Sequence, residues 1–218
     1  MQQIQTPKLI IFDCDGVLVD SVMAHCDVLS ANFAKYGLKI SPIDCRDKLG
    51  AGKMSEIGKA AQALGASLPD HWIDEIYQEI FSRLKRGVPL IKGIRDVLKS
   101  ANAKPIKICV ASNGSCEKME IMLGASGILD HFDGHIFSAH DLGVWKPEPD
   151  LFLHAAKKMH VSPSDCIVIE DSPTGAQAAK RAEMSCLGYA ADTHPDELIS
   201  HGALAFSSMH DLPKLLGI

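Results

Sequence analysis

Three short apolar runs, each ending in polar side chains, constrain the fold of this chain more than any other feature. They read KLIIFD (8–13), IKICVAS (106–112) and CIVIED (166–171). These runs contain β-branched residues and do not alternate polar with apolar positions, which is typical of strands covered on both faces of a parallel sheet. Weaker runs near Ile136 and Leu187 predict two further strands.

Helical patterns alternate with these strands from about Pro89 to the C-terminus. Such alternation predicts an α/β fold, with a doubly wound, Rossmann-like parallel sheet whose strands are joined by right-handed crossovers. The helices of this part are expected at 93–101, 116–123, 149–159, 174–182 and 211–216.

Residues 21–88 interrupt this alternation. Helical periodicity covers three segments there, 22–36, 53–64 and 69–85, and no convincing strand is visible. We therefore expect a small α-helical cap domain formed by 21–88, inserted into a core domain formed by 1–20 and 89–218. A chain of 218 residues is long enough for such a core and its insert.

The composition is that of an ordinary globular protein. Of the residues, 46% are hydrophobic and 22% are charged, and the formal net charge is −5. An acidic chain without a basic patch is not expected to bind nucleic acid or an anionic membrane. No apolar run approaches the roughly 20 residues that a bilayer-spanning helix needs, and no signal peptide is expected from the N-terminal residues.

The cysteines favour a reducing compartment. Seven are present, an odd number, and no two have C-x-x-C spacing. We therefore expect a cytoplasmic location and neither a disulfide framework nor a zinc site. The sequence does not specify an oligomeric state, and a monomer is compatible with it.

Reactive side chains stand where the three clearest strands end. Asp13 follows the first strand, Ser112 ends the second, and Glu170 with Asp171 ends the third. Ligands of open α/β sheets bind beyond the carboxyl ends of the strands, so these side chains are expected to converge. Clustered carboxylates raise one another's pKa unless a cation neutralises them, and such oxygen donors favour Mg²⁺. The alternative is that they only cap turns and helices.

A phosphate group is the expected companion of such a cation. From Ser112 the chain reads SNGSCEKM, in which a hydroxyl, the Asn113 amide and a glycine precede a helix whose first N–H groups can bind phosphate. Lys146 precedes a proline that disfavours helical geometry at the lysine, so a short loop can hold its charge near a phosphate. Taken singly, these residues are more typical of a helix cap and a solvated surface lysine, and only their place beside the acidic cluster favours phosphate binding.

In this order along the chain, the motifs resemble those of the haloacid dehalogenase superfamily of phosphotransferases. FDCDGVLVDS (12–21) is similar to motif I, ASNG (111–114) to motif II, WKPEP (145–149) to motif III and EDSPTG (170–175) to motif IV. The resemblance covers nearly the whole chain and is strongest with the β-phosphoglucomutase-like phosphatase branch. The run 145–180 is similar to that of bacterial 6-phosphogluconate phosphatases.

The resemblance implies a Mg²⁺-dependent phosphatase that hydrolyses a small phosphate monoester of the sugar phosphate or phosphogluconate type. Asp13 would be the nucleophile and form an aspartyl-phosphate. Asp15 would protonate the leaving oxygen and then accept a proton from water. Ser112, Asn113 and Lys146 would bind the phosphoryl oxygens.

The resemblance also implies the metal ligands. Mg²⁺ would be bound by the Asp13 carboxylate, the Asp15 backbone carbonyl and Asp171. Glu170 would bind the metal directly or through water.

In the cap, the segment 48–57 resembles the specificity loop of the family. Lys53 matches the place where a basic residue often meets a substrate anion. This resemblance implies a small, polar, phosphorylated substrate with a second anionic or hydroxylated end. The alternative is that Lys53 is a solvent-exposed lysine in the first turn of a helix.

Two other functions share parts of this pattern. A β-phosphoglucomutase-type mutase is favoured by His25, which lies where the mutases have a histidine, but Ser112-Asn113-Gly114 resembles the phosphatases instead. A receiver-like phospho-aspartate switch also uses an acidic pocket, a hydroxyl and a Lys-Pro pair. Such a switch needs no cap and should keep its phosphoryl group, whereas Asp15 is suited to hydrolysis. Asp15 also argues against haloacid dehalogenation, because dehalogenases carry no aspartate there.

Overall fold

Six parallel strands form one sheet within the residues that the computed structural model describes, 6–49 and 53–218. The strands are β1 (Leu9–Phe12), β2 (Lys107–Ser112), β3 (Ile136–Ser138), β4 (Cys166–Glu170), β5 (Ser185–Tyr189) and β6 (Leu204–Phe206). Their order across the sheet is β3-β2-β1-β4-β5-β6. The first five coincide with the predicted strands, and the short β6 was not predicted.

Helices connect the strands and lie close to the predicted segments. They are α1 (Val22–Lys35), α2 (Pro42–Asp44), α3 (Met54–Ala63), α4 (Trp72–Leu84), α5 (Ile94–Asn102), α6 (Cys116–Ala125), α7 (Ala139–Leu142), α8 (Asp150–Lys158), α9 (Pro173–Arg181), α10 (Pro195–Ser200) and α11 (Leu212–Leu216). The short α2, α7 and α10 were not predicted. With its parallel sheet and flanking helices, the chain has the predicted doubly wound α/β fold. In the part of the chain described, no helix is long and apolar enough to cross a membrane.

The polypeptide divides into two compact units. One comprises the described residues up to Val19 together with Leu90–Ile218, and it contains the sheet. The other comprises the described residues of Asp20–Pro89, which form α1 to α4 and include no strand. These bounds differ by one residue from those expected for the core and the insert.

The helical unit has its own small core. Phe33 of α1 stacks on Trp72 of α4, with ring centroids 5.6 Å apart. The Trp72 indole N–H donates to the Asn32 side-chain oxygen over 2.7 Å, which satisfies a buried amide. Gly58 of α3 makes room for this indole, because an added Cβ would lie 2.7 Å from it. The packing explains why this segment forms a unit without a strand.

In the sheet unit, β1 is central and completely buried. Ile11 belongs to an apolar cluster that includes Phe152 of α8 and small side chains of α9. On the opposite face, Phe12 meets Phe132 edge to face, with ring centroids 6.3 Å apart. Full burial of one such side chain stabilises a fold by about 1.5–3 kcal/mol, so packing on both faces holds β1 firmly at the centre of the sheet.

The order in which successive strands are added across the sheet reverses at β1, although all strands remain parallel. From β1 the chain passes to β2 and β3 on one side, and it then continues with β4, β5 and β6 on the other. Asp13, the residue after β1, donates its backbone N–H to the Ile169 carbonyl of β4 over 3.0 Å. A crevice at such a switch point is the usual ligand site of an open α/β sheet.

Candidate active site

A tight turn follows β1 at the switch-point crevice and leaves room for the carboxylate of Asp171, the residue after β4. Gly16 has φ +81°, and its N–H donates to the Val19 carbonyl over 2.8 Å. A Cβ on Gly16 would overlap the Asp171 carboxylate. Glycine is therefore required here both for the positive φ and for the close approach of a carboxylate to the backbone.

Lys146 joins the ends of β1 and β4 through its ammonium group. Its Nζ donates to Asp13 Oδ1 over 2.5 Å and to Glu170 Oε1 over 2.6 Å. Only 7% of Lys146 is exposed, and Nζ also lies 5.1 Å from the centre of the Phe152 ring. Burial alone would lower the pKa of Lys146, but the two carboxylates outweigh it and raise that pKa, so the side chain stays charged.

Glu170 is held from both sides. While Oε1 accepts from Lys146, Oε2 accepts from the backbone N–H groups of Asp171 and Ser172, each over 3.0 Å, and from the Ser172 hydroxyl over 2.9 Å. Gly175 leaves space for this carboxylate, because a Cβ there would overlap it. The main observed role of Glu170 is therefore to fix Lys146 and the turn after β4.

Asp15 has a different partner, which the sequence reasoning missed. Lys118, in the first turn of α6, donates its Nζ to Asp15 Oδ2 over 2.9 Å. Burial lowers the pKa of Lys118, but Asp15 raises it by more, so the pKa is raised overall. The sequence offers one signal for this lysine, though not for its partner: a cation in the first helical turn opposes the helix dipole.

Ser112 and Asn113 both lie at the end of β2. Ser112 is buried, with 3% exposed. Asn113 accepts the backbone N–H of Lys146 at its side-chain oxygen over 3.1 Å, so it positions the loop that carries this lysine. The N-terminus of α6 follows directly, capped by the Ser115 hydroxyl, which accepts the Lys118 N–H. A hydroxyl, an ammonium group and a helix N-terminus suit a phosphate group.

The crevice contains more negative than positive charge. Burial raises the pKa of Asp13 to about 7, against the opposing effect of Lys146. Burial, reinforced by Glu170 and Asp13, raises the pKa of Asp171 to about 8. Three carboxyl groups share one ammonium group there, so a further cation would be stabilised.

The oxygen donors at the crevice fit Mg²⁺. The Asp13 and Asp171 carboxylates are hard ligands, and Mg²⁺ usually takes one or two carboxylates and keeps several waters. Over residues 6–49 and 53–218, no group of three or more His, Cys, Asp or Glu side chains is arranged to hold a metal. That agrees with the engagement of Asp15 by Lys118 and of Glu170 by Lys146. A Mg²⁺ site here would need the Asp15 carbonyl, water and phosphate oxygens.

The two side chains predicted outside the crevice belong to the helical unit. Lys53 is exposed and directly precedes α3. Part of the predicted specificity loop, residues 50–52, lies outside the described residues. His25 is half-buried in α1, and its Nδ1 lies 2.8 Å from the Ser21 carbonyl oxygen.

Comparison with known proteins gives a consistent family. Residues 7–183 match the model of the haloacid dehalogenase-like hydrolases. The 6-phosphogluconate phosphatase of Escherichia coli (strain K12) is 31% identical over 210 residues, which cover 95% of this chain and 94% of that protein.

Two solved structures extend the likeness to the fold. A conserved haloacid dehalogenase-like protein of unknown function from Agrobacterium tumefaciens has a TM-score of 0.80 and 33% identity, over 96% of this chain and 97% of that one. A haloacid dehalogenase family hydrolase from Deinococcus radiodurans, solved with bound phosphate and sodium, has a TM-score of 0.82 and 25% identity. The match covers 98% of this chain and 96% of the other. With four motifs in order and a family match over most of its length, the chain belongs to the haloacid dehalogenase-like hydrolases.

Proposed function

We propose that this protein is a Mg²⁺-dependent phosphatase that hydrolyses a small phosphate monoester, of the sugar phosphate or phosphogluconate type, through an aspartyl-phosphate. The observation that carries the proposal is the buried Asp13, bound to Lys146 at the switch point, next to a hydroxyl and a helix N-terminus. The name of the E. coli relative and the phosphate bound to the D. radiodurans relative support the same chemistry.

In the first half of the proposed reaction, Asp13 attacks the phosphorus atom through a carboxylate oxygen. The bond from phosphorus to the leaving oxygen breaks, and Asp15 gives that oxygen its proton. In the second half, Asp15 takes a proton from water, which attacks the phosphorus of the aspartyl-phosphate. Inorganic phosphate leaves, and the Asp13 carboxylate is restored.

The phosphoryl oxygens would be bound by the Ser112 hydroxyl, the Lys146 ammonium group and the N–H groups at the start of α6. Asn113 would contribute by holding the Lys146 loop, as its bond to the Lys146 N–H suggests. Because these donors are fixed by helix caps and buried ion pairs, they need little rearrangement as charge moves in the transition state.

Mg²⁺ would be held by the Asp13 and Asp171 carboxylates and the Asp15 backbone carbonyl. Since both oxygens of Glu170 already accept hydrogen bonds, we assign it a contact through water. Bound Mg²⁺ would neutralise charge on the transferring phosphoryl group.

We further propose that the helical unit is a substrate-selecting cap, in the sense of the expected 21–88 insert. Lys53 would bind a second anionic group of the substrate, which a phosphogluconate-type carboxylate would supply. Replacement of Lys53 with alanine should then raise KM for substrates that carry such a group and leave other phosphate esters unaffected. An identical substrate profile in the variant would remove Lys53 from recognition.

A phosphate-release screen tests the proposed activity. Sugar phosphates, 6-phosphogluconate, phosphoglycolate and nucleotides would be incubated with the protein and Mg²⁺, and with EDTA as a control. We expect Mg²⁺-dependent turnover that Asp13→Asn abolishes without loss of the folded state. Wild-type rates in Asp13→Asn would overturn the mechanism.

Two parallel assays separate the alternative functions. Conversion of β-glucose 1-phosphate to glucose 6-phosphate without phosphate release would identify a mutase. A phosphorylated protein that persists for hours, with no steady turnover, would identify a signalling switch. We expect neither result, because Ser112-Asn113-Gly114 resembles the phosphatases rather than the mutases, and Asp15, two residues after the phosphorylated position, is suited to hydrolysis.

A further inference from the structure

We infer that Lys118 is a positioning residue for the proposed reaction, which holds the Asp15 carboxyl group in the orientation needed for proton transfer. The inference rests on the proposed phosphatase function. Its direct support is the contact of Lys118 Nζ with Asp15 Oδ2 at 2.9 Å, between residues 103 positions apart in the sequence.

The lysine is fixed independently of the Asp15 turn. Ser115 caps the helix by accepting the Lys118 N–H over 3.3 Å, and Ser138 donates its hydroxyl to the Gly114 carbonyl over 2.8 Å. The lysine stem also packs close to Gly114, since an added Cβ there would make an ordinary van der Waals contact with Lys118 Cδ at 3.4 Å. The first turn of α6 thus reaches across to the turn after β1 and restrains Asp15.

For the helix itself, lysine is a poor choice at this position. It is the third residue of α6, where a positive charge opposes the helix dipole. Its side chain is also only 20% exposed, although lysine is normally a surface residue. Asp15 supplies the compensating negative charge, so the contact with Asp15, rather than the stability of the helix, accounts for Lys118 at this position.

The chemical consequence concerns orientation. The carboxyl group of Asp15 is attached through two rotatable bonds, and an ammonium group on one oxygen restricts both rotations. General acid–base catalysis requires the proton to lie within hydrogen-bond reach of the reacting oxygen. Loss of the restraint should therefore slow the steps that move a proton and spare the step that moves none.

Substrates with different leaving groups separate these steps. Nitrophenolate leaves from p-nitrophenyl phosphate without a proton, whereas an alkoxide leaving from an alkyl phosphate needs one. In Lys118→Met, we expect the single-turnover rate with the best alkyl phosphate of the screen to fall about 10–100-fold, a fraction of the usual effect of a general acid. The pre-steady-state burst of nitrophenolate should stay within about 3-fold of wild type, by the same reasoning. KM for the alkyl ester should be nearly unchanged.

Matched variants complete the test. Lys118→Arg keeps the charge and the donors and should recover part of the lost rate. Lys99→Met, which removes an exposed lysine of α5, should behave as wild type with both esters. If Lys118→Met does not fold, Lys118→Gln, which removes the charge but keeps a donor, takes its place.

The outcomes distinguish the inference from the function beneath it. If Asp15→Asn slows the alkyl ester selectively and Lys118→Met does not, the positioning role is wrong and the phosphatase mechanism stands. Equal slowing of both esters by Lys118→Met, or a rise in KM at unchanged kcat, also overturns the positioning role. If Asp15→Asn affects neither ester, the proposed acid–base mechanism itself fails.

Discussion

Replacement of Lys146 with methionine would remove the positive charge that Asp13 and Glu170 share. Methionine keeps a flexible, unbranched stem, so the packing against Phe152 should largely persist. In the metal-free protein the change leaves Asp13 and Glu170, which are 6% and 1% exposed, without their common partner. Removing one member of a buried ion pair costs about 3–5 kcal/mol. Since total stabilities are about 5–15 kcal/mol, the free energy of unfolding should fall by a large fraction.

The loss of stability in Lys146→Met should depend on pH, in a direction set by the pKa of Asp13. That pKa is raised from 3.8 to about 7, so the folded chain holds this proton more tightly than the unfolded chain. The resulting stabilisation is complete below about pH 4 and is lost as the pH rises through about 7. Without Lys146 the pKa rises further. Above pH 7 the Asp13 carboxyl group of the folded variant therefore binds up to one proton more than that of the folded wild type, whereas Lys146 of the wild type is protonated in both the folded and the unfolded chain.

This difference makes the destabilisation grow with pH. One extra bound proton changes the free-energy difference by about 1.4 kcal/mol per pH unit. From pH 7 to 8.5 the cost of Lys146→Met should accordingly increase by up to about 2 kcal/mol by the same relation. Below pH 7 both proteins hold the Asp13 proton, and the cost should be nearly constant.

Urea denaturation in EDTA, followed by circular dichroism at pH 6, 7 and 8.5, measures these quantities. Lys99→Met serves as the exposed control and should change the free energy of unfolding by less than about 0.5 kcal/mol. Adding Glu170→Gln to Lys146→Met should restore part of the loss, since one unpaired charge is removed. A cost below about 1 kcal/mol at pH 8.5 would refute the reasoning, and so would a cost independent of pH.

Three further outcomes are expected. Gly175→Ala should destabilise the protein and reduce activity, because the added Cβ would overlap the Glu170 carboxylate. Gly124→Ala in α6 has room for its Cβ and should be neutral or stabilising by about 0.5–1 kcal/mol. Equal melting temperatures for the two variants would contradict this expectation. Mg²⁺ should raise the melting temperature more at pH 8.5 than at pH 6. The pKa values of Asp13 and Asp171, about 7 and about 8, mean that the metal competes with protons at the lower pH. The same shift in melting temperature at both pH values would argue against a metal at these carboxyl groups. Asp171→Asn should weaken this Mg²⁺ effect, and an unchanged effect would remove Asp171 from the ligand set.

The sequence predicts most of the sheet because its strands are buried on both faces. A central parallel strand such as β1 needs an uninterrupted apolar run, and such a run is visible without tertiary information. The strand β6 (Leu204–Phe206) lies at the sheet edge, is three residues long and exposes Leu204, so it lacks that signal. The short helices α7 and α10 lack a clear period for the same reason.

The residues of the candidate site likewise include some that the sequence predicts and one that it does not. Asp13, Ser112 and Glu170 could be predicted to lie close together, because the carboxyl ends of neighbouring parallel strands lie at the same edge of the sheet. Lys118 could not, because it lies on a helix and its partner is 103 positions away. Its first-turn position is a local anomaly, but only the docking of α6 on the sheet determines which carboxylate compensates it.

Two aspartates only two residues apart have separate positive partners, which supports the separate roles proposed for them. Asp13 is buried and tied to Lys146, which is itself fixed by Glu170 and the Asn113 side chain. Asp15 is more exposed and tied to Lys118 of α6. A nucleophile benefits from a fixed, desolvated position beside the phosphoryl group, whereas an acid–base group must reach both the leaving oxygen and water. Because the two lysines come from different elements, each carboxylate is restrained separately, and one turn can present both groups.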